Sequence, residues 1–300
     1  MASYQNKLII GFLRISKAML FDRERHINDH RRMLERVARI LRVPKGVSYR
    51  HVVCDGIPAE WITPVQLKND VTILYFHGGG YAMGSIDSHR HLITHLAIET
   101  GSKVLAINYR LAPENPFPSG IEDAVTSYKW LLKQGRKPSK IVICGDSAGA
   151  GLTITALITL RDEGIPLPAA GICISPWTDL TASGESVKTH VKKDPLIDPK
   201  SLEKWAKMYT DEENFAHHLV SPLHAELKGL PPLLVHVGDA EILLDDSVRF
   251  VENARKAGVE VDFEIWKEMI HVWHFYGGLL PEAKQAIKKI AEYIKTKTEN

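Results

Sequence analysis

Gly145-Asp146-Ser147-Ala148-Gly149 sets a serine between two glycines, where an apolar run from Lys140 to Cys144 gives way to a helical stretch from Ala148 to Arg161. On so sharp a strand-to-helix turn a hydroxyl stands clear of its own backbone, and the flanking glycines leave room for the bend. Ser147 held in that way suits nucleophilic attack on a carbonyl, and the amides opening the helix suit the oxyanion that attack creates. Some 70 residues earlier, His77-Gly78-Gly79-Gly80 follows another apolar run, Val71 to Phe76. Three glycines let the backbone approach a substrate closely and aim N–H groups at it. Gly78, Gly79, Gly80 and Ala148 are therefore the candidate oxyanion donors. A glycine-rich helix start also serves packing or phosphate binding, but neither Gly-x-Gly-x-x-Gly nor Gly-Lys-Ser/Thr occurs, which removes the dinucleotide and P-loop readings.

A serine nucleophile on this kind of turn needs an acid and then a histidine later in the chain. His271 and His274 are the late histidines, and Met269-Ile270-His271 sits just beyond the strand Val261–Trp266, where a loop can hang the imidazole over Ser147. His271 is assigned as general base and then acid; His236, inside a strand, reads as packing. The preceding loop, Gly238-Asp239-Ala240-Glu241-Ile242, offers Asp239 and Glu241, while Asp245 and Asp246 suit the start of the next helix.

The elements that must position these groups are legible from periodicity. Leu8 to Leu41 reads as two helices ending at Pro44, and Tyr49–Cys54 with Ile57–Ile62 reads as a β-hairpin around Asp55-Gly56. Strands at Val71–Phe76, Lys103–Asn108, Lys140–Cys144, Ala169–Ile174, Pro232–Val237 and Val261–Trp266 then alternate with helical stretches, the pattern of a mostly parallel α/β sheet covered on both faces. Between Asp179 and Leu230 no core strand is evident, as in a lid-like insertion, with helical material around Leu202–Tyr209.

Composition narrows the class further. The chain has 300 residues and a net charge of +2, which gives no reason to expect nucleic acid. Cys54, Cys144 and Cys173 show neither metal nor disulfide spacing and read as buried small apolar residues. With no signal peptide and no uncharged run long enough to span a membrane, the expected compartment is cytoplasmic. His89, His91 and His95 have helical spacing without an accompanying carboxylate, and His26 and His30 lack the glutamate of a zinc-peptidase helix, so no metal is expected.

Taken together, His77–Gly80, Asn108-Tyr-Arg-Leu-Ala-Pro-Glu114, Phe117-Pro118, Asp123 and Gly145–Gly149 resemble the hormone-sensitive lipase family of bacterial and archaeal esterases, from about Tyr49 to the C-terminus. The resemblance implies an α/β-hydrolase fold with a mostly parallel eight-stranded sheet, hydrolysis of short-chain carboxylic esters, and no cofactor. It also implies a cap built from residues 1–48 and an insertion at about 181–228, set on a catalytic domain of residues 49–300. It supports His271 and aligns the acid position of the family with Glu241, leaving Asp239 as the alternative. It further implies a homodimer paired through the edge strand near Val261–Trp266, with a monomer as the alternative. Asn108–Glu114 and Asp123 are expected to brace the loop beside the oxyanion strand. Phe12, Tyr81, Met83, Trp177, Leu180, Trp205 and Tyr209 are candidates for the substrate pocket, each with core packing as an equal alternative. A lactone hydrolase would use the same triad. A non-catalytic small-ligand receptor, like the plant gibberellin receptors that resemble this family, is the reading from another class.

Overall fold

In the computed structural model, which describes residues 2–20 and 26–299, the apolar runs assemble into one eight-stranded sheet. Its strands are β1 (Val47–Cys54), β2 (Ile57–Pro64), β3 (Thr72–Phe76), β4 (Lys103–Ile107), β5 (Ile141–Asp146), β6 (Ala170–Ile174), β7 (Leu233–Gly238) and β8 (Val261–Trp266). Their order is β1-β2-β4-β3-β5-β6-β7-β8. β1 and β2 form the hairpin, with Cys54 opposite Ile57, and β2 runs antiparallel to β4; every pairing from β4 through β8 is parallel.

The parallel strands are nearly unbroken apolar runs because both faces are covered. Side chains alternate between the two layers, as a pleat requires. Leu74, Phe76, Ile141, Ile143 and Val235 meet α4 (Ser119–Lys133), α5 (Ala148–Asp162) and α8 (Leu244–Lys256) on one side. Ile73, Tyr75, Val142, Cys144 and Leu234 meet α3 (Ile86–Thr100) and α9 (Pro281–Thr298) on the other. All three cysteines are free and buried, and burial raises their thiol pKa values.

Two groups of helices lie outside this frame. α1 (Tyr4–Leu20) and α2 (Ile27–Ala38) precede the sheet, while α6 (Ser186–Thr189) and α7 (Pro199–Tyr209) lie in the long connection from β6 to β7. Leu13 of α1 joins Met269, Ile270 and Trp273 in a small apolar cluster beside the end of β8. Arg31 fastens α2 to the loops below: its guanidinium donates to the carbonyls of Ala82 and Ala112, both at 2.8 Å, and to both carboxylate oxygens of Glu114 at 2.8 and 2.6 Å.

Candidate active site

Ser147 is the hinge between β5 and α5, with φ +53° and ψ −121°. That conformation costs a non-glycine residue on the order of 1–3 kcal/mol and persists only where the surroundings enforce it. The enforcement is visible. A Cβ on Gly145 would lie 2.2 Å from the Gly149 carbonyl oxygen, and one on Gly149 would lie 2.1 Å from that of Phe76. Strand and helix therefore meet closely only because both positions are glycine.

At the carboxyl ends of neighbouring strands the partners converge. His271 Nε2 lies 2.9 Å from Ser147 Oγ, and His271 Nδ1 lies 2.7 Å from Glu241 Oε2. Glu241 is wholly buried, and its other oxygen accepts from the Gly238 amide at 2.6 Å and from Ser175 Oγ at 2.7 Å. Burial alone would lower the His271 pKa. The hydrogen bond and charge of Glu241, with Asp194 and Asp146 adding, outweigh it and hold the pKa above the ordinary histidine value. The other histidines nearby are tuned the opposite way. Burial drives His274 well below its usual value and His236 to about 3, and the two rings meet at 3.2 Å. Asp239 accepts from the Glu268 amide at 2.5 Å and so braces the turn after β8. Asp245 and Asp246 lie in the first turn of α8.

The glycine loop divides its donors. Gly78 N–H, expected among the oxyanion donors, is engaged in the structure, donating to Asp146 Oδ1 at 3.1 Å. The cause is the residue just before the nucleophile. Asp146 is buried and its pKa lies below the usual carboxylate range: burial opposes that, but His89 and the Tyr75 hydroxyl (2.5 Å) stabilise the charge. Gly79, Gly80 and Ala148 donate their amides to no protein acceptor among the described residues. His77 is buried, stacked on Tyr109 with ring centroids 4.4 Å apart, and lowered to about 3 by burial and by His89. It donates from Nδ1 to the Gly78 carbonyl at 2.8 Å and so shapes the loop as a neutral ring. As expected of bracing residues, Asn108 Oδ1 accepts from the Ile86 amide at 2.8 Å and Asp123 accepts from the Arg110 amide at 2.7 Å.

Over Ser147 opens a largely apolar cavity of about 200 Å³. Of the expected pocket residues, Met83 and Trp205 line it, and Trp205 lies so close to Gly80 that a Cβ there would sit 2.9 Å from the indole. Tyr81, Trp177, Leu180 and Tyr209 do not line it. They belong to the core, where Tyr81 stacks on Tyr209 with ring centroids 4.0 Å apart and approaches Trp177 at 5.8 Å. Phe12 is 64% exposed, because the helical turn directs its neighbour Leu13 to the cavity instead. Unanticipated walls come from Met33, Leu34, Val37 and Leu41 in and after α2, from Leu196 and Ile197, and from Phe275 and Tyr276. The heptad-like spacing of Leu34, Val37 and Leu41 was the available signal, since that stripe has no sheet beneath it. Ser175 and Asp194 were also unanticipated. Asp194 accepts from the Ile242 amide at 3.1 Å, tying the β6–β7 connection to the loop of Glu241. Among the described residues no three His, Cys, Asp or Glu side chains converge on a metal position.

The profile of a family described by its alpha/beta hydrolase fold matches residues 73–275. An esterase crystal structure from the bacterial hormone-sensitive lipase family superposes with a TM-score of 0.95 at 42% identity, covering 99% of both chains. The chain belongs to that family. It is 48% identical over 254 residues to an acetyl-hydrolase of Streptomyces hygroscopicus, covering 84% of this chain and 85% of that one. It is 39% identical over 267 residues to an esterase of Acinetobacter venetianus, covering 89% and 88%. With family membership comes the reaction class, carboxylic ester hydrolysis, and the receptor reading gives way. No helix among the described residues is long and apolar enough to cross a membrane.

Proposed function

We propose that this chain hydrolyses short-chain carboxylic esters through an acyl-enzyme on Ser147. The observation carrying the proposal is the continuous hydrogen-bonded line from Ser147 Oγ through His271 to Glu241, at 2.9 and 2.7 Å. As Oγ attacks the ester carbonyl carbon, His271 Nε2 takes its proton, and Glu241 stabilises the imidazolium from the Nδ1 side. The oxyanion is received by the open amides of Gly79, Gly80 and Ala148. Collapse breaks the bond to the alcohol, which leaves with the proton from His271. Water then gives a proton to His271 and attacks the acyl carbon; the proton returns to Ser147 Oγ as the acid is released.

Short acyl chains are supported by the cavity, whose 200 Å³ lies below the roughly 300–1,000 Å³ of pockets that hold drug-sized ligands. The cap in this reading is residues 1–48 with the insertion at about 181–228, which together supply Leu13, Met33, Leu34 and Trp205 to the cavity wall. The reading also includes a homodimer through β8, the last strand of the sheet, whose outer edge pairs with no other strand among the described residues. A panel of p-nitrophenyl esters and lactones with the parent protein and Ser147→Ala tests the function. Serine-dependent turnover falling with acyl length is expected; a preference for lactones, or turnover retained in Ser147→Ala, would overturn it.

A further inference from the structure

The charge of this chain is unevenly placed. Residues 1–48 hold eleven Lys and Arg against four Asp and Glu, a net of +7, although the whole chain carries only +2. Within that segment α1 contains Lys7, Arg14 and Lys17 and no acidic residue. Its inner face is occupied: Asn6 is buried, donating to the Glu268 carbonyl at 2.8 Å, and Leu13 reaches the cavity. Its outer face carries large apolar side chains at helical spacing, Tyr4, Leu8, Phe12 and Ile15, which are 72, 56, 64 and 86% exposed. The stripe continues onto the neighbouring loop, where Arg14 donates to the Lys192 carbonyl at 3.5 Å. There Val191 is exposed between Lys188 on one side and Lys192 and Lys193 on the other. Scattered exposed apolar residues are ordinary, but a row of four along one helix, flanked by cations and free of acids, is the pattern of a helix lying in a lipid interface.

We propose that the outer face of α1, with the 188–193 loop, docks on an anionic lipid surface. A second copy of the chain suits it poorly, because a twofold contact would set the same cations against each other. Phospholipid phosphates supply a complementary negative charge, and the headgroup–acyl boundary takes up the apolar row. The same helix carries Leu13 into the cavity wall, and Leu196 and Ile197 follow the cationic loop into that wall, so docking sets the cavity beside the lipid. Esters dissolved in the bilayer would then reach Ser147 without crossing bulk water.

The test is co-sedimentation with vesicles of phosphatidylcholine alone or mixed equally with phosphatidylglycerol. Three proteins are compared: the parent, Leu8→Gln/Ile15→Gln and Lys7→Gln/Lys192→Gln. The parent should bind the anionic vesicles about tenfold more tightly than the neutral ones, and high salt should weaken that binding. Each double variant should bind them several-fold more weakly. Turnover of a soluble p-nitrophenyl ester should stay unchanged in all three, which separates this proposal from the hydrolase reading and shows that the variants fold. Equal affinity for both vesicle types, undiminished binding by both variants, or a concentration-dependent dimer that Leu8→Gln/Ile15→Gln converts to monomer would each overturn it.

Discussion

The choice between Glu241 and Asp239 turns on which carboxylate faces the imidazole, and Glu241 alone of the two lies 2.7 Å from His271 Nδ1. Glu241→Gln should therefore lower kcat by roughly a thousandfold to ten-thousandfold, as loss of a triad acid does elsewhere, while Asp239→Asn retains most of it. The pH profile supplies a second readout. His271 must be neutral to accept the proton, and its pKa is raised, so kcat/KM in the parent should climb with pH through a value above that of ordinary histidine. Removing the Glu241 charge takes away the main influence raising that pKa, so the residual activity of Glu241→Gln should climb at lower pH. A limb that stays in place would point to another group. Gly80 invites a different substitution: at φ +61° and with Trp205 2.9 Å from any Cβ, Gly80→Ala must shift the loop. Loss of one aligned donor should cost about a hundredfold to a thousandfold in kcat, with circular dichroism unchanged.

At the scale of elements, strands and helices were legible because both periods are strong. β3 to β7 are apolar runs between glycine- and proline-bearing turns, and the expected helical stretches Ala148–Arg161 and Leu202–Tyr209 differ from α5 and α7 only by a few residues at their ends. The nucleophile turn and the glycine loop were legible because close backbone approach leaves glycine as the sole choice. Contacts between distant segments were not. Nothing in the neighbourhood of Gly78 announces that Asp146 takes its amide, nor does the spacing of Tyr81, Trp177 and Tyr209 say whether they face cavity or core; all three are large and aromatic. Arg31 was equally silent, being one of a run of charges in α2, yet it joins that helix to two carbonyls and Glu114. Arg31→Ala should remove about 1–2 kcal/mol of stability, lowering Tm by a few degrees, and should increase proteolysis near α2. An unchanged Tm with unchanged proteolysis would show that α2 is held by its apolar face alone.

Across the whole molecule, one buried carboxyl sets part of the response to pH. Asp246 is raised to about 8 by burial and by the charge of Asp179, against the pull of the Thr178 and Asp179 amides that it accepts. Its pKa in the folded chain thus lies above the unfolded value. The contribution is full in acid, declines as the pH rises out of the carboxylate range and is lost once the pH passes about 8. Asp246→Asn keeps an oxygen acceptor without titrating, so its urea midpoint should gain on that of the parent as the pH approaches about 8; parallel curves would contradict this. The proposed hydrolysis rests on covalent chemistry at one serine, positioned by a sheet that brings the ends of β5, β7 and β8 to one edge, with β6 between the first two. Rapid quenching during turnover of p-nitrophenyl butyrate, followed by intact-mass and peptide mass spectrometry, tests that most directly. One butyryl group per chain on the peptide containing Ser147, absent in Ser147→Ala, is the predicted result. Steady turnover with no adduct, or an adduct on another residue, would contradict it.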